Sequence, residues 1–574
     1  MTDRQTGYPS IDRPWKKYFT EETKSLSVPH KTVYEELKEC SWRYQNNIAL
    51  EYFGKKINYK SLFQNIDKTA KALKAAGVQK GEMVSVCLPN TPEAIYLVYA
   101  INRIGAIANM LDVRCGEKAL KEALVDAKSK LLICLDSTAD KFEKNLKETS
   151  IKEAVVVSPL NSLPALSQLI AKTFKKELRV KKSPIFMPWR QWVQKGIHYN
   201  GILDAEWEEN TSAYVAYTGG TTGIPKGVIA TNENIIAEFL MQSLHGHPVG
   251  VGDRIHMAAP IWTYYGLCNA ANNCLCSGMT VILVPNPQNE TLGKDIKTLR
   301  PTFIITVPVA LYSIMNDKSL DGADLSFIRM LVVGADKLDE TLEIQMNNWL
   351  KEHNAGIVVS KGYGMTEVMA ASACTKIGAD GVGSAGVPCP GVIISAFTET
   401  DGQYIECLQG EIGEIAICAP TIMKGYFGPA ASETKDVIKQ HVDGSLWAHT
   451  GDIGYIGADG RLYVEGRIKR MFTRNGYKIF PATIESCIMK HDDVKQTAVV
   501  NVQDNLNGNI TKAFVVKKES SIIDNDMLKQ ELSQLTATEL YDYEIPDIYE
   551  FVDELPLTGM GKIDFRALET IAKS

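Results

Sequence analysis

Helical and strand-like patterns of apolar residues alternate through the first two-thirds of the chain. Apolar positions between residues 62 and 73 keep the spacing of one helix face, and the apolar run Met83 to Leu88 has the length of a strand. Thr91-Pro92-Glu93 then supplies an N-cap, a first-turn proline and a first-turn acid, which predicts a helix running to about Gly105. Because another apolar run, Ala106 to Ala108, comes next, this stretch predicts a βαβ unit.

The same order of elements recurs further along the chain. A helical pattern at Leu120 to Asp126 precedes the apolar run Leu131 to Leu135, and one at Ile296 to Leu299 precedes Phe303 to Val307. Repeated units of this kind place parallel strands side by side, with helices on both faces of the sheet. The sequence therefore predicts an α/β fold with largely parallel, doubly wound sheets.

The pattern changes after about Gly410. Short alternating segments, such as Glu414 to Cys418 and Arg461 to Glu465, are separated by turns rich in Gly and Asp. This pattern is typical of antiparallel strands, and it predicts a barrel-like β section in the same large domain.

A charged stretch, Arg467 to Arg470, marks a further boundary. The ~100 residues after it have strand and helix signals of their own, a length typical of a small domain. We predict an N-terminal extension (1–30), a large domain (31–467) and a small, mobile α+β domain (468–574), with a hinge at Lys469.

Composition and charge exclude several classes of protein. Hydrophobic residues make up 45% of the chain and charged residues 23%, which is ordinary for globular proteins. The formal net charge of -6 gives no basic field, so nucleic acid is disfavoured as a main partner. Among the 12 cysteines, the closely spaced Cys274 and Cys276 lack the second ligand pair of a zinc site, and we expect reduced, mostly buried thiols.

No segment approaches the ~18 apolar residues of a membrane span. Met1 to Asp12 is polar and lacks the apolar core of a signal peptide. We therefore expect a cytoplasmic protein. Peripheral contact with a membrane stays open, as does the choice between a monomer and a homodimer.

The strongest chemical signal is the segment Tyr217 to Val228, which follows the apolar run Tyr214 to Ala216. Its four glycines let the backbone approach an anion, while Thr hydroxyls and Lys226 add donors and positive charge. The segment lacks the Lys-Ser or Lys-Thr pair of a Walker loop, and Pro225 opposes an immediate helix. An ordinary Gly-rich turn would explain the glycines but not the Thr residues and Lys226 together, so the segment predicts a phosphate loop.

This segment resembles the signature of the adenylate-forming superfamily, which includes acyl-CoA synthetases, peptide-synthetase adenylation domains and luciferases. Further motifs of that superfamily occur in the same order between about His30 and Arg566. Gly219 stands where the superfamily usually has Ser, which removes one hydroxyl donor. The resemblance implies that Thr222 takes part in catalysis and that ATP is bound by Thr218, Gly219, Gly220, Thr221, Thr222 and Lys226.

Tyr363-Gly364-Met365-Thr366-Glu367 resembles the next motif of the superfamily. The resemblance implies that Tyr363 lies against adenine, with Gly364 beside it, that Thr366 contacts the α-phosphate, and that Glu367 is a catalytic residue holding Mg²⁺. A carboxylate suits a hard dication that bridges phosphates. Taken alone, the same string also fits a helix N-cap followed by a first-turn acid.

Four further segments complete the predicted nucleotide site. Asp452 is similar to the superfamily's ribose-binding residue, and Arg467 to an arginine that reaches the ribose or phosphates, although each also fits a tight turn or a solvated basic face. Lys562, in a Gly-containing loop, resembles the catalytic lysine that bridges the acid and ATP while charge builds on the leaving pyrophosphate. Gly334-Ala335 resembles a loop bordering the nucleotide.

The segment Ala259 to Gly266 resembles the motif that lines the acyl pocket. Thr263 replaces the His frequent in CoA ligases, and the segment lacks the Asp with which peptide-synthetase domains hold an α-amino group, so an amino-acid substrate is disfavoured. Its aromatic residues fit either a pocket for an apolar or aromatic acid or an ordinary core. The predicted acyl pocket comprises Trp262, Thr263, Tyr264, Tyr265, Val307, Gly362, Gly386 and Val387.

The resemblance implies an enzyme of the AMP-forming, fatty-acid CoA ligase type. It uses ATP and Mg²⁺ to convert a fatty or aromatic carboxylic acid into an acyl-adenylate and pyrophosphate, and then passes the acyl group to coenzyme A. In the resembled family the small domain swings about the hinge between these steps, which removes Lys562 and presents a thiol channel. The candidate channel residues are Arg470, Arg474, Gly476, Tyr477 and Lys478.

Three alternatives stay open. The first is a stand-alone adenylating enzyme that loads the phosphopantetheine arm of a carrier protein. The second is a phosphoryl-transfer enzyme, which would release ADP rather than AMP. The third is a non-catalytic protein that binds a nucleotide or a carboxylate, which the departures at Gly219 and Thr263 favour.

Overall fold

The computed structural model describes residues 6–20, 23, 26–143, 146–164, 185–218, 225–474, 477–504, 508–558 and 562–572. Two large sheets organise the N-terminal part of the chain. The first has nine strands, in the spatial order Val387–Pro388, Ala373–Cys374, Ser360–Tyr363, Met330–Val333, Phe303–Thr306, Arg254–Met257, Thr280–Leu283, Ile48–Tyr52 and Lys55–Asn58. Its inner strands, from Ser360–Tyr363 to Ile48–Tyr52, all pair in parallel.

The second large sheet has eight strands. Their spatial order is Gly425–Tyr426, Gly227–Thr231, Ser212–Tyr217, Ile107–Met110, Met83–Cys87, Leu131–Leu135, Glu153–Val157 and Phe186–Pro188. Pairing is parallel from Ser212–Tyr217 onward and antiparallel before it. The predicted α/β fold with largely parallel sheets is confirmed.

Helices connect and cover these sheets. Among the described residues of this part, the α-helices are Pro9–Asp12, Val33–Ser41, Tyr59–Ala75, Pro92–Arg103, Glu117–Ala127, Ala139–Glu143, Trp189–Lys195, Asn232–His245, Asn273–Cys276, Leu292–Leu299, Pro308–Met315, Glu340–Glu352 and Thr434–Val437, and Tyr265–Asn272 is a π-helix. The Thr91 side chain caps its helix by accepting the amide of Ala94, as its sequence predicts. That helix is apolar around most of its circumference, so it is buried along nearly its whole length.

The antiparallel section forms a third sheet. Its order is Gln403–Glu406, Ile393–Thr400, Gly413–Cys418, Leu446–Ile456 and Ile438–Gln440, and Leu462–Arg467 also pairs with Leu446–Ile456. The section begins at Ile393, before the predicted change near Gly410, because a turn through Gly391 at φ +81° already starts the first strand. Pairing leaves Gln403–Glu406 at an edge, so within residues 393–467 the sheet is open rather than closed into a barrel.

The C-terminal part has its own sheets, helices and core. Strands Phe472–Arg474 and Tyr477–Ile479 pair with each other, and Val494–Asp504, Gly508–Lys517 and Ile548–Phe551 form a three-stranded sheet. The α-helices are Pro481–Ile488, Asn525–Glu539 and Phe565–Ala572. Two apolar clusters, including Ile484, Phe514 and Leu528, draw only on residues of this part.

The state of the cysteines agrees with the expectation of reduced, mostly buried thiols. All twelve cysteines are free, and most of them are buried. Across the described ranges, none of the helices combines the length and apolar character needed to span a bilayer.

Candidate active site

A cavity of about 2360 Å³ lies where the large sheets, the antiparallel sheet and the small C-terminal part meet. Most of the predicted site residues line it. They are Thr218, Lys226, Trp262, Thr263, Tyr264, Tyr265, Val307, Ala335, Gly362, Tyr363, Gly364, Thr366, Glu367, Asp452, Arg467, Lys469, Arg470 and Lys562. Gly219, Gly220, Thr221 and Thr222 of the predicted phosphate loop, and Gly476 of the predicted thiol channel, lie outside the described residues.

The base of the predicted phosphate loop is pinned between two antiparallel strands. The amide of Thr218 donates to the carbonyl of Lys226 at 2.9 Å, and the amide of Lys226 donates to Oγ1 of Thr218 at 3.1 Å. A strand, Gly227–Thr231, follows directly, so the proline-containing segment does not enter a helix. The ammonium of Lys226 forms an ion pair with Glu433 and lies 5.1 Å from the centre of the Tyr426 ring, which holds its charge at the cavity wall.

Glu367 points into the cavity from a short 3₁₀ turn, Thr366–Val368. Its Oε1 accepts the hydroxyl of Tyr426 at 2.6 Å, and Oε2 has no hydrogen-bond partner among the described residues. Burial and the neighbouring Glu367 raise the pKa of Tyr426, so its hydroxyl stays protonated and donates. No side chain caps this turn, so the structure does not support the alternative of a capped helix with a first-turn acid.

Gly364 brings the motif close to the segment that follows it. A Cβ atom at this position would lie 1.6 Å from the carbonyl oxygen of Ala370, so only glycine fits. The Ala370 segment itself has positive φ, 59° at Met369 and 94° at Ala370. Such backbone is costly for residues with side chains and persists where the surrounding structure fixes it.

Asp452 is held by two partners at the edge of the antiparallel sheet. The Tyr363 hydroxyl donates to its Oδ2 at 2.8 Å, and the guanidinium Nε of Arg467 lies 2.9 Å from its Oδ1. Burial raises the pKa of this carboxyl, and the charge of Arg467 opposes that effect. The carboxylate is therefore oriented in advance, as a residue that accepts ribose hydroxyls needs to be.

Lys562 enters the cavity from a turn in the small C-terminal part. The amide of Thr558 donates to the carbonyl of Lys562 at 2.7 Å, which closes the base of that turn. Burial lowers the pKa of the Lys562 ammonium, while Asp336 and Asp452 act in the opposite direction. The Lys562 ammonium is therefore close enough to Asp452, the predicted ribose-binding carboxylate, for the two charges to interact.

The loop at Gly334-Ala335 directly precedes Asp336, whose charge acts on the Lys562 ammonium. Ala335 has φ 68°, and Ala335 and Asp336 line the cavity. Gly334 lies behind them, where an added Cβ would be 3.2 Å from the Tyr265 hydroxyl oxygen and 3.3 Å from the carbonyl oxygen of Gly362.

The predicted acyl segment divides into supporting and cavity-facing residues. The Thr263 hydroxyl donates to the carbonyl of Pro260 at 2.8 Å and accepts the amide of Gly266 at 3.1 Å, so it fixes the turn that starts the π-helix. The Tyr264 hydroxyl donates to the carbonyl of Val228 at 2.8 Å, and its ring belongs to the core. Trp262 packs under the guanidinium of Arg114, 5.3 Å from the ring centre.

Two residues predicted for the acyl pocket lie behind its wall. Val387 is fully buried in an apolar cluster with Met241 and Ile394. Gly386 packs directly on the backbone of Cys374, where a Cβ would approach the carbonyl carbon to 2.1 Å. Val387 lies in the short strand that pairs with Ala373–Cys374, and the place of both residues in the acyl pocket stays a prediction.

The predicted thiol-channel residues differ in their surroundings. The Arg470 guanidinium lines the cavity, lies 3.6 Å over the Phe565 ring and pairs with Glu485 at 2.5 Å. Arg474 turns into the small C-terminal part instead, and donates to the carbonyls of Tyr543 and Ile545 at 3.2 and 2.9 Å.

Arg474 also forms an ion pair with Asp547 at 2.5 Å. Nearby acceptors therefore occupy the Arg474 guanidinium in this structure, and its place in the thiol channel stays a prediction. Tyr477 and Lys478 lie on the strand that pairs with Phe472–Arg474, and their side chains lie outside the described part of the structure.

The structure adds site residues that sequence patterns missed. Tyr426 and Glu433 contact Glu367 and Lys226, and Asn269 and Asn273 continue the cavity wall beyond Tyr265. Nothing in the local sequence marks Tyr426, because its partner Glu367 lies 59 residues away. The two asparagines carry a weak signal, since each stands four residues beyond the preceding cavity-facing residue on one helical segment.

Known protein families and proteins resemble this chain over most of its length. The family model for AMP-binding enzymes matches residues 37–427, and the model for the AMP-binding enzyme C-terminal domain matches residues 483–562. A long-chain-fatty-acid–CoA ligase of Bacillus subtilis (strain 168) is 29% identical over 563 residues, which covers 97% of each chain. A feruloyl-CoA synthase of Amycolatopsis sp is 29% identical over 522 residues, 90% of this chain and 94% of that protein.

A solved structure shows the same fold. The anthranilate CoA ligase AuaEII, in complex with anthranoyl-AMP, superimposes with a TM-score of 0.81 at 21% identity, over 95% of this chain and 98% of that one. Because the first family model alone covers more than half of the chain, the protein belongs to the AMP-binding enzymes, the adenylate-forming family that its motifs resemble.

Proposed function

We propose that this protein is an AMP-forming acyl-CoA ligase. It joins a carboxylic acid to the AMP part of ATP with release of pyrophosphate, and then transfers the acyl group to coenzyme A. The observation that carries this proposal is the placement of Lys562 in the same cavity as Glu367 and Asp452. Three motifs from distant parts of the chain meet there, which supports one adenylating site rather than three unrelated turns.

The first step is an in-line displacement at the α-phosphorus. A carboxylate oxygen forms the new P–O bond, the bond to pyrophosphate breaks, and no proton has to move because the acid is already ionised. The chain contributes positioning and positive charge, from Lys226 at the phosphate loop and Lys562 at the acid. Asp452 and Tyr363 orient the nucleoside, and Thr366 and Thr222 supply hydroxyl donors to the phosphates.

Glu367 is the residue that would hold Mg²⁺, which when bound neutralises charge on the phosphate oxygens. Its Oε1 is oriented by Tyr426, while Oε2 has no partner among the described residues and is left as a ligand oxygen. The described residues contain no group of three or more His, Cys, Asp or Glu side chains suited to a metal. An ion held by Glu367 would take its remaining oxygen ligands from the substrate phosphates or from water.

In the second step the thiol sulfur attacks the acyl carbon, AMP leaves with the bonding electrons, and the thiol proton passes to solvent. Lys562 has no part in this step. The small domain turns about Lys469, which lines the cavity beside Arg470, and the strand containing Tyr477 and Lys478 comes to the thiol channel.

The names of the relatives support a fatty or aromatic acid. One is a long-chain-fatty-acid–CoA ligase and another a feruloyl-CoA synthase, at equal identity to this chain. The cavity wall also mixes aromatic and aliphatic side chains, among them Trp262, Phe239 and Val332.

The test is to incubate the protein with ATP, Mg²⁺ and a panel of carboxylic acids, with and without coenzyme A. We expect acid-dependent AMP and pyrophosphate, and an acyl-CoA thioester only when coenzyme A is present. Lys562→Ala is the matched control for contaminating activity. Release of ADP rather than AMP would contradict adenylation. Transfer to a phosphopantetheinyl carrier protein but not to coenzyme A would contradict the proposal that coenzyme A is the acyl acceptor.

A further inference from the structure

Lys226 and Glu433 form an ion pair on the wall of the cavity, and both residues line it. Lys226 ends the predicted phosphate loop, whereas Glu433 lies far along the chain in the 3₁₀ segment Gly428–Glu433. A carboxylate beside a cation that binds phosphate competes with the phosphate for the same positive charge. The ion pair therefore takes part in the binding equilibrium of any phosphate ligand at this lysine.

Backbone contacts fix both partners of this pair. The strand that follows Lys226 pairs with the short strand Gly425–Tyr426. The amide of Tyr426 donates to Oγ1 of Thr434 at 2.9 Å, and Thr434 is the residue after Glu433. Because the sheet and this contact hold the backbone on both sides, the meeting of the two charges is a feature of the fold.

The ion pair contributes little to stability. The side chain of Lys226 is 35% exposed and that of Glu433 is 47% exposed. Water screens such a pair and the two side chains lose entropy in forming it, so the net stabilisation is small. Solvent reaches both groups, so a phosphate ligand can displace the carboxylate and the carboxylate can return. A variant without the Glu433 charge should therefore fold normally.

The lysine has a second partner that does not compete with phosphate. Its ammonium lies 5.1 Å from the centre of the Tyr426 ring, and the Tyr426 hydroxyl donates to Oε1 of Glu367 at 2.6 Å. The face of the ring attracts a cation whether or not Glu433 is close. Tyr426 therefore keeps the ammonium near the predicted phosphate and metal positions while its carboxylate partner is displaced.

We propose that Glu433 is the counter-ion that Lys226 exchanges for the phosphates of ATP, and that its return to Lys226 helps pyrophosphate to leave. This inference deepens the proposed function and rests on it. Glu433 is a positioning residue, because it acts through Lys226 and contacts no reacting atom. By competing for the lysine it limits the affinity for phosphate groups. An enzyme that releases a polyanion in every cycle benefits from this limit, since product release often sets the turnover rate.

Glu433→Gln tests the exchange, because the amide keeps the size of the side chain and removes its charge. Binding of ATP and of pyrophosphate, each with Mg²⁺ and without an acid substrate, is measured by calorimetry. We expect both dissociation constants to fall by about three- to tenfold, the effect of one charge several ångströms away in a solvated site. A structural defect would weaken binding instead, so the sign of the change separates the two roles. Unchanged or weaker binding of either ligand would overturn the inference.

Two control variants test whether the effect belongs to this ion pair. Glu208→Gln removes a similarly exposed carboxylate, which pairs with Lys80 at 2.7 Å outside the cavity, and it should leave both dissociation constants unchanged. Glu122→Gln removes a charge from the same cavity wall and should have a smaller effect than Glu433→Gln. Equal tightening by the variants at Glu122 and Glu433 would overturn the exchange, because a general change in cavity charge would then explain it.

The dependence on ionic strength tests the physical origin of the effect. Salt screens charges that solvent can reach, so the gain in affinity of Glu433→Gln over the parent should shrink as the salt concentration rises. A gain of the same size at low and high salt would overturn the inference, because competition between charges could not then be its cause.

Failure of the proposed function has a different signature. If no acid elicits AMP, the ligase proposal fails, but the binding measurements need neither an acid nor turnover. Tighter binding of ATP and pyrophosphate by Glu433→Gln would still support the exchange, and equal binding would refute it. If neither the parent nor the variant binds ATP, both proposals fail.

Discussion

The hydroxyl of Tyr363 donates to Oδ2 of Asp452 at 2.8 Å and so joins two sequence motifs that lie 89 residues apart. Tyr363 ends a strand of the first large sheet, whereas Asp452 lies in the antiparallel sheet. The bond therefore links two layers of the large domain at the point where the nucleoside would bind. Arg467 holds the other carboxylate oxygen, which leaves the orientation of Asp452 dependent on both partners.

Tyr363→Phe keeps the ring that faces the nucleotide but removes this bond. We expect KM for ATP in the pyrophosphate-release assay to rise by about two- to tenfold, the range for one modest hydrogen bond, with a smaller change in kcat. Tyr18→Phe is the control, since the Tyr18 hydroxyl bonds the carbonyl of Asp459 away from the cavity. An unchanged KM for ATP in Tyr363→Phe would show that Asp452 is oriented without its help.

Tyr426→Phe tests whether Glu367 is a metal ligand. Loss of the 2.6 Å bond frees the carboxylate to rotate, and removing a residue that orients a metal ligand commonly weakens the metal about tenfold or more. The Mg²⁺ concentration for half-maximal adenylation should rise by that factor. Tyr404→Phe, in the antiparallel sheet, should leave it unchanged. If the two variants need the same Mg²⁺ concentration, Tyr426 does not orient Glu367 as a ligand of the ion.

Local sequence signals were sufficient for the individual elements. The Thr91 cap, the helix over residues 59–75 and the strand before the predicted phosphate loop each depend on neighbours in the chain. Such signals predict helices, strands and hairpins because capping, periodicity and turn chemistry act within a few residues.

Local signals of this kind do not predict contacts between distant parts of the chain. Arg474 follows the predicted hinge in sequence, but the acceptors of its guanidinium come from the segment around Asp547, which no local pattern places nearby. The π-helix is a second example, since residues 265–272 show no feature that separates it from an α-helix. Pairings of this kind are set by tertiary packing, so the charge pattern alone does not identify the partners of Arg474.

Arg474→Ala should therefore change stability rather than thiol binding. Removing hydrogen bonds to a charged group costs about 1.5–3 kcal/mol in the free energy of unfolding, which denaturant titration would detect. KM for coenzyme A should stay near its original value. Arg470→Ala is the matched variant, since that guanidinium lines the cavity, and it should raise KM for coenzyme A. A raised KM for coenzyme A in Arg474→Ala at unchanged stability would instead support a place for this residue in the thiol channel.

Lys562 should give the two half-reactions different pH dependences. Burial lowers the pKa of its ammonium, and adenylation needs the charged form, so pyrophosphate release is lost as pH rises through this lowered value rather than near the ordinary lysine pKa of about 10.4. The profile is measured as kcat/KM for ATP, which reports groups of the free enzyme. Conversion of a supplied acyl-adenylate to its thioester should lack this alkaline loss, because Lys562 takes no part in that step.

Two variants at Lys562 separate its charge from its position. Lys562→Ala should reduce adenylation by at least about a hundredfold while thioester formation from supplied acyl-adenylate changes little. Lys562→Arg should be slower than the parent but should lose the alkaline limb, because a guanidinium keeps its proton throughout the accessible pH range. Equal loss of both half-reactions in Lys562→Ala, or an alkaline limb that persists in Lys562→Arg, would show that another group carries the charge that stabilises the departing pyrophosphate.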